Sequence, residues 1–181
     1  MKLKSMALPD ETQQRRTVSD SQSERSEIIF PSDANGLGSL FGGRLMQFID
    51  LVGAMAASRH ARSNTVTAAM DHLDFIAPVH VGNLLILKSS VNRVFRTSME
   101  VGVKAMVEDI STGEVRHVSS AYLTFVAVGP TGERISVPPI TPETDDQKRR
   151  YEDADRRRDL RSAERQRRRE AEKGHATGWR P

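Results

Sequence analysis

The stretch from Gly43 to about His60 constrains this chain most, because Leu45, Met46, Phe48, Ile49, Leu51, Val52 and Met55 cover nearly every side of a helix. A helix that is apolar all round is a buried one, so the rest of the chain has to surround it. Gly53, Ala54, Ala56 and Ala57 let it lie close against a sheet, and Arg59, His60 and Arg62 suit its C-terminal dipole. One acid, Asp50, interrupts the apolar run. Ahead of the helix, Pro31–Gly36 (PSDANG) is a turn cluster in which Asn35-Gly36 suits positive φ. The pair Gly42-Gly43 sits at the seam between turn and helix, where backbone N–H groups lack intrahelical partners and can hold an oxygen bearing negative charge.

Around the helix the period of the sequence is two. Ile28-Ile29-Phe30 reads as a first strand, Thr65–Met70 with Leu73–Ile76 as one long or broken strand, and Leu84–Val94 as the next. Arg96-Thr97-Ser98 is a tight connection to Met99–Val107, and Ser111-Thr112-Gly113 turns into Val115–Val128. One strand, a buried helix and then strands joined hairpin-fashion predict an α+β layer arrangement, a helix wrapped by a mostly antiparallel sheet.

The chain of 181 residues suits one domain, expected over 26–136. Residues 1–25 are polar and are expected to be disordered, since they cannot bury enough surface to offset their ordering entropy. Residues 137–181 are expected to form a proline-rich linker and a charged tail, partly helical or disordered and without an apolar stripe. Residues 141–181 hold 13 of the 27 Lys+Arg and 10 of the 24 Asp+Glu, so the net charge of +3 belongs to the tail and the body is balanced. A balanced body gives no support to a nucleic-acid-binding face; Arg156–Arg158 and Arg167–Arg169 raise that possibility for the tail, but interleaved acids weaken it. With no cysteine, disulfides and thiolate metal sites are excluded. His60, His72, His80 and His117 lack metal-ligand spacing, so no metal is expected. No apolar run approaches a membrane span, and the N-terminus lacks a signal-peptide core. A cytoplasmic protein follows as the expectation.

The blocks PSDAN-x-x-G-x-LFGGRLM-x-x-ID, VTAAMDHLDFIAPVHVGN and RTSMEVGV-x-A, in that order, resemble those of the hot-dog-fold acyl-CoA thioesterases, over roughly residues 26–155. The resemblance implies a hot-dog fold and hydrolysis of acyl-CoA to CoA and a carboxylate. It also implies a homodimer, assembled into a trimer of dimers, with active sites between protomers. No cofactor is implied, CoA being part of the substrate. By this resemblance Asp50 is the catalytic acid, acting as general base or nucleophile, and Asn35 places water or the carbonyl from the facing protomer. Gly43, with Gly42, holds the thioester oxygen. Arg93, Arg96, Thr97 and Ser98 are the candidates for binding CoA. Taken alone, Asn-Gly in a polar loop is more often a turn, a glycine pair is a tight junction, and the Arg96 region is an ordinary hairpin end. Two other readings stay open. One is a hot-dog protein that binds acyl-CoA without turning it over. The other is a hot-dog hydratase or dehydratase, although no histidine stands between residues 31 and 59.

Overall fold

The computed structural model describes residues 15–71 and 73–174. Along the chain these form β1 (Arg16–Thr17), α1 (Val18–Ser21), β2 (Ser23–Ile28), α2 (Gly42–Ala61), β3 (Asn64–Met70), β4 (Leu84–Val94), β5 (Ser98–Glu108), β6 (Val115–Val128), β7 (Ile140–Thr141) and α3 (Asp145–Gly174). Five strands make one antiparallel sheet in the order β2-β4-β5-β6-β3. It curls around α2, which is the hot-dog arrangement.

The alternation read in the sequence explains the core. Val101, Val103, Ala105 and Val107 of β5 turn to the same side as Ala121, Leu123, Phe125 and Ala127 of β6, and all are buried. Leu45, Phe48, Ile49, Val52 and Ala56 of α2 pack against them. A Cβ on Gly53 would stand 3.1 Å from the Phe125 ring, so glycine is what lets the helix approach this closely. At about 1.5–3 kcal/mol for each large side chain removed from water, this layer supplies the main favourable contribution to folding.

One part of the all-apolar helix does not find cover within the chain. Met46, Leu51 and Met55 are 42%, 41% and 42% exposed. The pattern that calls for a fully buried helix is met on the sheet side and left open on the other.

The polar N-terminal segment departs from expectation. Residues 1–14 lie outside the described residues, but from Arg16 the chain is ordered, and β2 spans Ser23–Ile28 rather than starting at Ile28. The reason is backbone pairing rather than apolar burial. Ser23 to Ile28 pair with Ser89 to Leu84 along the edge of β4, and Arg16 and Thr17 pair in parallel with Ile140 and Thr141. The Ser21 hydroxyl accepts from Val91 N at 2.9 Å and donates to Val18 O at 2.7 Å. A sheet edge with unsatisfied N–H and C=O groups can order a polar segment that has no core of its own.

The charged tail also departs from the solvated or frayed helix expected of it. Thr144 and Gln147 form a capping box at the start of α3: Thr144 Oγ1 accepts from Gln147 N, and Gln147 Oε1 accepts from Thr144 N, both at 3.3 Å. The first half of the helix then lies on the outer face of the sheet, held by charge and rings. Glu100, with no exposed surface, accepts from Arg157 Nη2 at 2.6 Å, from Arg157 Nε at 3.2 Å, from Asn92 Nδ2 at 3.2 Å and from Arg161 Nη1 at 3.4 Å. Arg157 stacks over Tyr122 at 3.7 Å, Arg158 over Phe95 at 4.0 Å and Arg93 over Tyr151 at 3.9 Å. Arg161 also pairs with Asp71.

Candidate active site

The turn cluster ahead of α2 is a tied loop. Asp33 accepts from Arg44 Nε at 2.9 Å, and Arg44 lies over the Phe48 ring at 4.6 Å, so the loop is fastened to the first turn of the helix. Leu40 N donates to Val79 O at 2.8 Å and joins the loop to the segment after β3. Asn35 works first as a turn residue. Its Oδ1 accepts from Leu37 N at 2.9 Å and Ser39 N at 3.2 Å, which fixes the carboxamide and leaves its NH2 as the end free to act on something else. The positive φ of the loop falls at Gly38 (74°), not at Gly36. The Asn35 oxygen binds the amides that follow it, so the reversal comes two residues later than the Asn-Gly pair suggests.

Helix α2 begins at Gly42, with Phe41 as an N-cap that makes no side-chain cap. Arg44 N and Leu45 N both bond to Phe41 O, at 3.0 and 3.1 Å, which leaves the N–H groups of Gly42 and Gly43 ahead of the first intrahelical bond. The two glycines differ in their surroundings. A Cβ on Gly42 would meet the Phe75 ring at 3.2 Å, whereas one on Gly43 would meet nothing within 4 Å. Gly42 therefore touches the segment after β3, and Gly43 faces open space beside a helix N-terminus.

Two turns along the helix, Asp50 is half-exposed. Phe48, Ile49 and Val52 point into the core, so the apolar neighbours in sequence do not enclose the carboxylate within one chain. It stands instead on the uncovered side, with Met46 and Leu51. Its Oδ1 accepts a hydrogen bond of 2.6 Å from Thr67 Oγ1 on β3. Sequence reasoning missed Thr67. The signal available was a hydroxyl on the strand that follows a helix carrying a lone acid, and without the β3–α2 packing nothing selects it over Thr65.

Arg93, Arg96, Thr97 and Ser98 fall at the β4–β5 end, and among the described residues none bonds to Asp50, Asn35 or the glycine pair. Arg93 is occupied by α3: it pairs with Asp155 at 2.8 Å and stacks on Tyr151. A free cation for phosphate is not what it offers here. Arg96 is exposed, and its carbonyl accepts from Val137 N, while Thr97 O accepts from Ala127 N. Ser98 opens β5 opposite Val126. His60, the histidine nearest the glycine pair in α2, is buried, with Nε2 on Pro138 O at 2.8 Å. Burial pushes its imidazole below the ordinary 6.5. It has no path to a substrate at the helix start.

Residues 37–114 match the model of the thioesterase superfamily. YkhA of Bacillus subtilis (strain 168), an uncharacterized acyl-CoA thioester hydrolase, is 39% identical over 137 residues, 76% of this chain and 80% of its own. The chain belongs to the acyl-CoA thioester hydrolases of the thioesterase superfamily. Among solved structures of hydrolases of this family, an acyl-CoA hydrolase from Staphylococcus aureus in complex with butyryl-CoA, CoA and CoA disulfide superposes with a TM-score of 0.83. It is 32% identical, over 91% of this chain and all of that one. An apo-hexameric acyl-CoA thioesterase gives 0.81 at 37% identity, over 83% of this chain and 97% of that one. The human cytosolic acyl coenzyme A thioester hydrolase is 32% identical over 76% of this chain, which matches 37% of its length. Mutants of the Staphylococcus aureus hydrolase replace an asparagine, an aspartate and a threonine by alanine. Those residues are separated by the same intervals as Asn35, Asp50 and Thr67 of this chain.

Proposed function

We propose that the protein hydrolyses the thioester of acyl-CoA to free CoA and a carboxylate, in a site completed by a second copy of the chain. The observation that carries this is the Asp50–Thr67 pair, placed on the uncovered apolar side of the helix whose first N–H groups, at Gly42 and Gly43, have no hydrogen-bond partner among the described residues. The N–H of Gly43 polarises the thioester carbonyl and holds the oxygen as charge grows on it. Asp50, oriented by the Thr67 hydroxyl, takes the proton of an attacking water, or attacks the carbonyl carbon itself to form a mixed anhydride that water then hydrolyses, freeing the carboxylate product and Asp50. In either route the C–S bond breaks after the first attack, and the CoA thiolate leaves and takes up a proton. The NH2 of Asn35 reaches the water or carbonyl of the facing protomer.

The uncovered face of Met46, Leu51 and Met55 supports a homo-oligomer, as does the likeness to hexameric thioesterases. A dimer through this face, repeated as a trimer of dimers, is the arrangement we propose. A cytoplasmic location rests on the human relative's name and on the lack of cysteine. Among the described residues no helix is long and apolar enough to cross a membrane.

The test is thiol release from acyl-CoA by the purified protein and by Asp50→Ala. Loss of a positioned acid–base group lowers the rate about 10²–10⁴-fold, with the assembly unchanged by light scattering. Full turnover in the variant removes Asp50 from the mechanism, and binding of acyl-CoA with no free thiol from the wild type removes the hydrolase reading.

A further inference from the structure

On the outer face of the sheet, turned away from α2, one residue from each of four strands falls in a single row. Glu24 of β2 is opposite Lys88 of β4, Lys88 is opposite Lys104 of β5, and Lys104 is opposite Ser120 of β6. Directly opposed side chains in an antiparallel pair stand about 4.5–5.5 Å apart at Cβ, and like charges placed there are destabilising. One carboxylate answers the two ammonium groups: Glu24 lies 3.3 Å from Lys88 Nζ. Among the described residues Lys104 has no ion pair.

The row two residues further along is Ser90, Gly102 and Tyr122. The Asn92 carboxamide stands over Gly102, 2.9 Å from where a Cβ would be, and forms the floor between the Ser90 hydroxyl and the Tyr122 ring. Together the two rows line a groove of about 650 Å³, walled on one side by Arg150 of α3 and reached at its end by Arg59. Its charged lining is Arg59, Lys88, Lys104 and Arg150 against Glu24, and Arg150 is paired with Asp146 at 2.8 Å, which leaves an excess of two positive charges. The volume is that of a small-molecule site, and the polar groups converge on it.

A larger groove of about 850 Å³ on the other side of α3 carries Arg157, Arg161, Arg165 and Arg168 at helical spacing. There Asp71, Asp74 and Glu164 share the lining, and Arg157 is already spent on Glu100. That groove is an ion-pair seam, and the surplus positive charge belongs to the Lys88–Lys104 side.

We propose that the Lys88–Lys104 groove binds a phosphate-bearing small molecule of nucleotide size, on the opposite side of the sheet from Asp50. Two opposed ammonium groups with hydroxyls from Ser90, Ser120 and Tyr122 suit the oxygens of a phosphate monoester. The cost of setting Lys88 against Lys104, which Glu24 offsets in part, is offset further when the anion is present. The phosphate can belong to a free nucleotide or to the nucleotide end of a CoA thioester.

Calorimetric titration of the full-length protein with adenosine 3′,5′-bisphosphate, ADP, inorganic phosphate and neutral adenosine tests this, and does so without relying on hydrolysis. The phosphate-bearing ligands bind and adenosine does not. Lys104→Glu weakens binding about tenfold or more, the effect of losing one charge-assisted contact, while Lys104→Arg retains it. The same Lys104→Glu change raises the melting temperature in the absence of ligand, because it turns the opposed pair into an attractive one. A merely structural role for the lysines does not combine those two results. If KM for acyl-CoA rises with the loss of binding, the substrate's own nucleotide is the source; if KM is unchanged, a free nucleotide is. Equal binding by the wild type and Lys104→Glu overturns the proposal. So does a wild type that binds no phosphate ligand while Lys104→Glu alters the oligomeric state, which would make the groove a contact for another copy.

Discussion

Removing the Arg157 side chain isolates what holds α3 on the sheet. Glu100 is a carboxylate with no exposed surface, and Arg157 supplies its shortest hydrogen bond together with two longer ones from Nε. Burial lowers the guanidinium's pKa, but the hydrogen bonds and charge of Glu100 outweigh it and the net direction is upward. In Arg157→Ala the carboxylate keeps Asn92 at 3.2 Å and Arg161 at 3.4 Å, both longer than the bond lost. Breaking a buried pair from one side costs about 3–5 kcal/mol, and loss of the stack on Tyr122 adds about 0.5–1 kcal/mol. The protein has one way to lessen this, which is to release α3 and let water reach Glu100. The helix has few apolar contacts to resist release: Ala154 is buried and Tyr151 is half-buried, but Leu160 is 71% exposed. Arg157→Ala should therefore lower the calorimetric melting temperature, at fixed protein concentration, by about 6 °C or more, at 2–4 °C per kcal/mol for a domain of this size. Amides of α3 should exchange faster than those of β5. Glu100→Gln in the same chain should restore most of the loss, because a neutral amide makes a far smaller demand on its partners. A drop equivalent to less than about 1 kcal/mol, the scale of an exposed pair, would refute the claim that this network fixes the tail.

Three further outcomes are expected. Thr67→Val removes the donor that orients the Asp50 carboxylate, so kcat in a thiol-release assay should fall about tenfold or more, a hydrogen bond to a charged group being worth about 1.5–3 kcal/mol. Gly42→Ala brings a methyl to 3.2 Å from the Phe75 ring at the helix start. Phe75 is 53% exposed and its ring can shift, so stability should stay within about 0.5 kcal/mol, while kcat/KM should fall, and kinetics beside a thermal melt separate the two. His60 is held below its ordinary 6.5 by burial, so between the folded value and 6.5 the unfolded chain binds more protons. The stability it contributes is present above 6.5 and lost as the pH falls below it. The urea midpoint should decline from about pH 7.5 to about pH 5.5, and less steeply in His60→Gln.

The period-two strands, the all-apolar helix and the turn cluster were decided by the sequence alone, because each rests on neighbours a few residues apart. Asp50 and the glycine pair could be singled out for the same reason: an acid in an apolar helix and two glycines at its start are local anomalies. Pairings between distant segments were decided only by the tertiary structure. Residues 16–28 look too polar to order until β4 offers them an edge to bond. The tail looks like a solvated helix until Glu100, buried in β5, turns two of its charged residues, Arg157 and Arg161, into partners. Arg93 reads as a free cation until Asp155 and Tyr151 take it up. Thr67 is one of several strand threonines until α2 lays Asp50 2.6 Å from its hydroxyl. Hydrogen bonds and ion pairs act over a few ångströms, whatever the separation in sequence. Which groups come that close is settled by the packing of helix on sheet, and no local pattern records it.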